Sequence, residues 1–348
     1  MIINTQENCT KNSATSAYRK VSQSIGNTPL MEFIVLPNGS RMYLKLEQFN
    51  PTGSAKIRMA KSMLDEAEQN GLLKPGGRIV ESTSGNTGVG LAMLAAERGY
   101  HFTAFVDNHA AKDKINNMRA FGAEVVCVSD EGNDGLATDV RDAMAEQVAK
   151  EQGALWTAQH NNFANSRGYT ELAKEVVNQI GTGITHLVGA VGTGGSLCGT
   201  TRALRDLGCH SLTTLGVEPI GSVIFGGPGA SYHQSGTGTP EGAEIGALIE
   251  YDLIDQGFKV SDKHAFNTAR YLTKHYALMV GGSAGGVIYE ALKSIQSAPA
   301  GSTFVVLVCD GGEKYLDTVF NDQWMTEHQL FDPQLDQQLS DLLQQLKA

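Results

Sequence analysis

The strongest constraint in this sequence is a repeating succession: a short apolar run, a turn rich in glycine or hydroxyl residues, then apolar residues at helical spacing. The runs include Arg78 to Glu81, Phe102 to Val106, Glu124 to Val128, Leu187 to Val191 and Thr303 to Cys309. Between them, Ala55/Met59/Met63, Leu136/Val140/Met144 and Leu172/Val176/Ile180 recur at i, i+4, which places each trio on one helix face. Strand, helix and strand in this order predict an α/β fold with mostly parallel sheet, because parallel neighbours need a crossover connection. Two such series occur, about 50–156 and 157–325, each with its own glycine-rich turn and with no Pro/Ser linker between them. Two open lobes facing a shared cleft fit this pattern, and 348 residues suffice for two ordinary domains.

Composition narrows the function classes. Hydrophobic residues make up 41% and charged residues 18%, as in ordinary globular proteins. A net charge of −10 without any Lys/Arg-rich run argues against nucleic acid or an anionic membrane as partner. The five cysteines (Cys9, Cys127, Cys198, Cys209, Cys309) are odd in number and scattered, so neither a disulfide framework nor a metal site is expected. The first residues are polar, and no apolar stretch approaches the roughly 18 residues of a membrane span, which makes a cytoplasmic location the expectation.

The chemistry-bearing residues lie in the turns. In Asn50-Pro51-Thr52-Gly53-Ser54-Ala55-Lys56 a turn leads into a helix, so Lys56 falls in the first helical turn. The helix macrodipole disfavours a cation there, which lowers a lysine's pKa and makes it a better nucleophile toward carbonyls. The cluster Ser82-Thr83-Ser84-Gly85-Asn86-Thr87-Gly88 follows a strand and opens a helix, offering hydroxyls and free N–H groups to a carboxylate or phosphate. Gly192-Thr193-Gly194-Gly195-Ser196 does the same after Leu187 to Val191, with glycines that let backbone wrap a phosphate. It is neither a Walker A motif nor G-x-G-x-x-G, since Leu197 stands at the final glycine position. NTP and dinucleotide readings therefore lose ground. The segments Val280 to Gly286 and Cys309 to Leu316 read as strand-to-loop punctuation, and Gly221 to Leu253 reads as a long loop and candidate lid. A helix starting near Pro333 places Leu335, Leu339, Leu342 and Leu346 on one face, to pack on its own subunit or a dimer mate. One anomalous lysine, one phosphate cup and one carboxylate cup suit a phosphorylated aldehyde cofactor handling an amino acid.

Taken together these motifs resemble the fold-type II pyridoxal-phosphate enzymes, specifically the cysteine synthase/cystathionine β-synthase family. The resemblance runs from Ser24 to about Leu316 in matching order. It is carried by Ser24-Ile25-Gly26-Asn27-Thr28-Pro29-Leu30, Asn50 to Arg58, Thr83 to Gly88, Gly192 to Ser196, Gly216-Val217-Glu218-Pro219 and Gly282-Ser283-Ala284-Gly285. It implies two open, mostly parallel α/β domains like the tryptophan synthase β chain, with pyridoxal 5′-phosphate in the cleft. The larger, cofactor-phosphate domain would comprise 1–49 plus 157–325 and the smaller, mobile, carboxylate-binding domain 50–156, followed by a helical tail over 326–348. It further implies Lys56 as the Schiff-base lysine, Gly192, Thr193, Gly194, Gly195 and Ser196 as the phosphate cradle, Asn86 on the cofactor 3′-oxygen and Ser283 facing the pyridine nitrogen. Thr83, Ser84, Gly85 and Thr87, assisted by Gln159, would grip the substrate carboxylate.

The activity so implied is β-replacement on an activated L-serine, O-acetylserine or O-phosphoserine, through an α-aminoacrylate. Cysteine synthesis with sulfide is its simplest form, in an enzyme of amino-acid biosynthesis expected to be a homodimer. Other nucleophiles, an amine giving a 2,3-diaminopropionate-type product or homocysteine giving cystathionine, keep the same first half. A serine/threonine dehydratase usually has His where Thr87 stands and Phe where Ala55 stands, which disfavours it. A catalytically silent cofactor-binding protein is disfavoured by the intact lysine and carboxylate loop. Departures from the family fall where substrates enter: Ile57 follows the lysine, Asp107 to Lys112 replaces a proline-containing stretch, and 226–238 lacks the usual basic-apolar pattern. With about 30 residues after Tyr315, the haem-binding, regulatory-domain architecture of animal cystathionine β-synthase is not expected.

Overall fold

Each apolar run singled out in the sequence forms a strand, and the helical periods between them form helices. The computed structural model describes residues 17–83, 85–107, 112–128 and 137–348, so Ser84, Leu136 and Cys9 lie outside the described residues. Chain order is β1 (Leu30–Val35), β2 (Arg41–Leu46), α1 (Lys56–Gln69), β3 (Arg78–Ser82), α2 (Asn86–Arg98), β4 (His101–Val106), α3 (Lys112–Ala120), β5 (Glu124–Cys127), α4 (Ala137–Gln152) and β6 (Leu155–Trp156). It continues with α5 (Ala164–Arg167), α6 (Thr170–Ile180), β7 (His186–Ala190), α7 (Gly195–Asp206), β8 (Thr213–Pro219), β9 (Gln256–Val260), α8 (Asp262–Tyr276), α9 (Gly282–Ser297), β10 (Thr303–Val308), α10 (Asp322–Glu327) and α11 (Pro333–Lys347).

Among the described residues the strands form two sheets, one in the order β1-β2-β10-β7-β8-β9 and one in the order β5-β4-β3-β6. Every pairing is parallel except β1 with β2. Parallel strands deliver all their carboxyl ends to one edge, and each turn there feeds a helix N-terminus. Thr83 follows the end of β3, Thr157 that of β6, Val191-Gly192 that of β7 and Cys309-Asp310 that of β10. Strands β6 and β9 carry no apolar signature in the sequence: β6 has two residues, and β9 pairs only with β8 and is half exposed.

Helix α1 is buried on two faces. Met59 and Met63 pack with Leu172 and Leu197 beside the larger sheet, whereas Ile57, Ala60 and Leu64 pack with Leu91 and Leu94 beside the smaller one. Its start is anchored by a buried ion cluster. Arg58 Nε and Nη2 donate to Glu47 at 2.6 and 2.9 Å, and Nη1 and Nη2 donate to Glu175 at 2.8 Å each. Lys45, fully buried, donates to Glu175 Oε2 and to the Thr28 carbonyl, both at 2.7 Å. Thr28 donates to Glu47 Oε1 at 2.6 Å and Asn50 to Glu47 Oε2 at 2.9 Å, while Gly26 N–H donates to Asn50 Oδ1 at 2.9 Å. Burial alone would push the Glu175 carboxyl up, but Arg58 and Lys45 hold it down at about 2.

The C-terminal helix α11 is capped by the Asp332 carboxylate, which accepts from Gln334 N–H. It packs on α8 and α9 of its own chain. Leu335, Leu339, Leu343 and Leu346 are buried and Leu342 is half exposed, which corrects the predicted face by one residue in its third turn.

Replacing Arg58 by Met would strand Glu47 and Glu175 without their shared cation. We expect a loss of ~3–5 kcal/mol in urea unfolding. A loss below about 1 kcal/mol would show that the cluster does not anchor α1.

Candidate active site

The carboxyl ends of β3, β6, β7 and β10 open onto one cavity of about 640 Å³, within the range of small-ligand sites. Lys56 lines it as the first residue of α1, as its spacing predicts. Among the described residues no carboxylate pairs with its Nζ. Burial pushes the Lys56 ammonium below the ordinary lysine value, with Cys309 and Asp310 acting in the opposite direction.

Thr83, Gly85, Asn86, Thr87 and Gln159 all reach this cavity, whereas Ser84 lies outside the described residues. The Thr87 hydroxyl donates to Gln159 Oε1 at 2.8 Å, and Gln159 Nε2 donates to the Ser82 carbonyl at 3.1 Å. Thr83 Oγ1 accepts from Gly88 N–H, in the first turn of α2, at 3.2 Å. Behind Gln159 stands Glu81, buried to 2% exposure. Its Oε2 accepts from the Thr157 hydroxyl and from Gln159 N–H, the latter at 3.3 Å. Burial pushes the Glu81 carboxyl up to about 8, reinforced by Asp142 and opposed by these hydrogen bonds.

On the opposite wall, Gly192 and Thr193 line the cavity, and Gly194, Gly195 and Ser196 turn directly into α7 behind them. Gly194 has φ +84°, and a Cβ there would meet the Leu248 carbonyl at 2.4 Å. A Cβ on Gly195 would lie 2.2 Å from Asn165 Oδ1. Only glycine lets this backbone present its N–H groups at the head of a twelve-residue helix. Asn165 Nδ2 ties the two walls together, donating to the Gln159 carbonyl at 2.8 Å and to Thr193 Oγ1 at 3.2 Å. Ser283, in the first turn of α9, also lines the cavity, with its hydroxyl 3.9 Å from Cys309 Sγ.

Several residues in or beside the cavity lining were given no site role by the sequence reading. Asn86 Nδ2 donates to Asp310 Oδ2 at 2.8 Å, and its Oδ1 accepts from Lys314 Nζ at 2.8 Å. The Tyr315 hydroxyl donates to the same Asp310 oxygen at 2.6 Å. Lys114, buried on α3, reaches Ser235 Oγ at 2.9 Å and lies 4.9 Å over the Tyr315 ring, linking the smaller-sheet region to the larger. The available signal for Asp310, Lys314 and Tyr315 was their place at the carboxyl end of an apolar strand; Lys114, in a polar helix, had none. The long loop after β8 contributes Ser235 to Pro240 and Glu244 to the cavity. Glu218 of the Gly216-Val217-Glu218-Pro219 motif is wholly buried and holds this loop, accepting from Ile224 and Phe225 N–H at 3.0 Å each.

Residues 21–310 match the family described as pyridoxal-phosphate dependent enzyme. A Sinorhizobium fredii relative provisionally named a cysteine synthase is 49% identical over 321 residues, 92% of this chain and 95% of its own. Cysteine synthase B of Escherichia coli is 35% identical over 313 residues, covering 88% of this chain and 98% of its own. The solved O-acetylserine-dependent cystathionine β-synthase of Helicobacter pylori superposes with a TM-score of 0.81 at 30% identity, over 87% of this chain and 98% of that one. The described residues fit the cofactor: a glycine cradle at a helix N-terminus for its phosphate, and a lysine without a counter-ion for its aldehyde.

Between pH about 4.5 and about 8 the unfolded chain has Glu81 ionised while the folded chain keeps it protonated. The unfolded state then binds fewer protons, so stability falls as pH rises through this window. In urea unfolding across that range, the stability of Glu81→Gln relative to the parent should change by up to about 1.4 kcal/mol per pH unit. Parallel profiles would refute a neutral Glu81.

Proposed function

Because the chain belongs to the pyridoxal-phosphate-dependent enzyme family, among the fold-type II cysteine synthases and cystathionine β-synthases, we propose that it performs β-replacement on an O-activated L-serine, most simply making cysteine from O-acetylserine or O-phosphoserine with sulfide. The observation that carries this reading is one cavity shared by Lys56, a carboxylate cup and a glycine cradle. When bound, the cofactor ring supplies the electron sink for negative charge at the substrate Cα. Lys56 would hold the cofactor, and Gly192 to Ser196 its phosphate. Asn86 has a second Nδ2 hydrogen, beyond the one given to Asp310, for the cofactor 3′-oxygen. Ser283 would face the ring nitrogen with a neutral hydroxyl, which does not compel its protonation.

In the reaction, Lys56 Nζ, released by the incoming amine, takes the α-proton and holds it. Its lowered pKa suits that task. Thr83, Ser84, Gly85, Thr87 and Gln159 bind the carboxylate, and the leaving group departs from Cβ. After a nucleophile adds at Cβ, Lys56 returns its proton to Cα. Residues 50–156 act as the smaller, mobile unit that closes on 1–49 plus 157–325 to exclude water, 326–348 form the tail, and the working form is a homodimer. A second reading, with a nucleophile other than sulfide, is supported by two solved relatives: one named O-acetylserine-dependent cystathionine β-synthase, and an O-ureido-L-serine synthase with a TM-score of 0.80. Mixing the holoenzyme with O-acetylserine and following its spectrum, then adding sulfide, homocysteine or amines and weighing the products, tests the assignment. No spectral change with any activated serine overturns it.

Borohydride reduction followed by peptide mapping should place the pyridoxyl group on Lys56; a label on any other lysine overturns that role. Thr87→Ala removes one donor to a charged acceptor, which should slow the first half-reaction about 10–150-fold in stopped-flow while cofactor content stays unchanged. Loss of cofactor with a normal half-reaction in the remaining holoenzyme would move Thr87 out of the carboxylate cup.

A further inference from the structure

His160 is the next residue after Gln159, and it lines the same cavity as Lys56. Among the described residues no group hydrogen-bonds to this ring. Its backbone is held firmly. Asn161 N–H donates to the Ala158 carbonyl at 2.9 Å in a turn where Ala158 has φ 45°, and Asn161 Oδ1 accepts from Ala247 N–H at 3.0 Å. Gly246 presses on the other side, so close that a Cβ there would meet the His160 carbonyl at 2.7 Å. Both ring nitrogens, without a hydrogen-bond partner among the described residues, are available to an occupant of the cavity that His160 lines.

The charged groups around it are Lys56 from α1, Arg141 from α4 and Glu244 from the long loop. Burial, with Lys56 and Arg141, pushes the imidazole down to about 4, with Glu244 opposing. At working pH the ring is therefore neutral, with one N–H donor and one lone pair. Arg141 pairs with Asp107 at 2.7 Å, and both line this cavity. A neutral imidazole brings one N–H donor and no positive charge to meet a dianionic group.

We propose that His160 selects the leaving group: its ring N–H donates to the acyl carbonyl oxygen of an O-acyl-L-serine, in preference to a phosphorylated one. The inference rests on the β-replacement reading above. With the carboxylate in the Thr83–Thr87 and Gln159 cup and Cα at Lys56, the substituent on Cβ falls against the residue that follows Gln159. As Lys56 takes the α-proton, the electron pair left at Cα forms the Cα–Cβ double bond. The Cβ–O bond breaks, and its electron pair leaves with the carboxylate. Charge develops on both oxygens of that carboxylate, so a neutral donor aimed at one of them gains strength as the bond breaks and no proton need move.

His160→Phe keeps the ring's bulk without the N–H, and His160→Gln restores a donor. In the first half-reaction, His160→Phe should slow O-acetyl-L-serine about 10–100-fold, His160→Gln should recover most of that loss, and β-chloro-L-alanine should change by no more than about threefold, because chloride leaves without needing the donor. By calorimetry, the unmodified holoenzyme should bind N3-acetyl-L-2,3-diaminopropionate, the amide isostere of O-acetylserine, about 5–30-fold more tightly than L-norleucine, a preference that His160→Phe loses. Equal slowing of both substrates, no slowing of either, a preference that survives His160→Phe, or faster reaction with O-phospho-L-serine than with O-acetyl-L-serine each overturns the proposal. If neither substrate eliminates with the unmodified enzyme, the β-replacement reading falls, and the calorimetric comparison still decides what His160 binds.

Discussion

Arg58 and its two carboxylates hold in place the helix on which the chemistry depends. Glu47 precedes α1, Glu175 lies on α6 and Lys45 on β2, so the cluster joins separate parts of the chain at the start of α1. Ions this deeply buried lose several kcal/mol of hydration each, and only full pairing and hydrogen bonding offsets that. The cluster has both: two cations, two carboxylates, and Thr28, Asn50 and the Thr28 carbonyl filling the remaining positions. A one-residue shift of α1 would break several of these bonds at once. The geometry therefore fixes the register of Lys56, two residues upstream, as much as it stabilises the fold. It also gives the Ser24 to Leu30 motif a physical role, since Gly26 and Thr28 enter the cluster rather than the cavity.

Burial acts on acids and bases in opposite directions, and the cavity uses both. Glu81 is held protonated, while Lys56, Lys114 and His160 are drawn toward their neutral forms. The interior thus carries less charge than its residue list suggests. On the proposed reading the substrate's own carboxylate would be among the strongest charges present, and the hydroxyl and amide donors of the cup would act on it through a low dielectric. Arg141 and Asp107, which also line the cavity, are paired with each other. A lysine that is a base and a histidine that is only a hydrogen-bonding group both follow from this distribution.

The parallel architecture converts order along the chain into a site. Each βα turn comes from a different stretch of sequence, yet parallel pairing brings the ends of β3 and β6 to one edge of the smaller sheet and those of β7 and β10 to one edge of the larger, and both edges open onto the cavity. Asn165 then bridges the cup and the cradle, and Lys114 reaches from α3 to Ser235 and Tyr315. These links connect the two sheets' regions through hydrogen bonds rather than through apolar packing, which is the kind of contact that exchange with a ligand can remake.

The amino-acid order alone determined the α/β class, the mostly parallel sheets, the helix that begins at Lys56 and the glycine turn at 192–196. Each of these rests on spacing and local backbone preference, which neighbours along the chain report directly. Leu343 rather than Leu342 on the buried face of α11 shows the limit of such reading, because helical spacing alone tolerates a rotation that packing on α8 and α9 does not. Tertiary structure alone decided that Glu81 lies behind Gln159, that Asp310, Lys314 and Tyr315 surround Asn86, and that His160 faces the cavity. Those are contacts between residues distant in sequence, and the protonation states they impose come from burial, a property of the whole fold that no local pattern encodes.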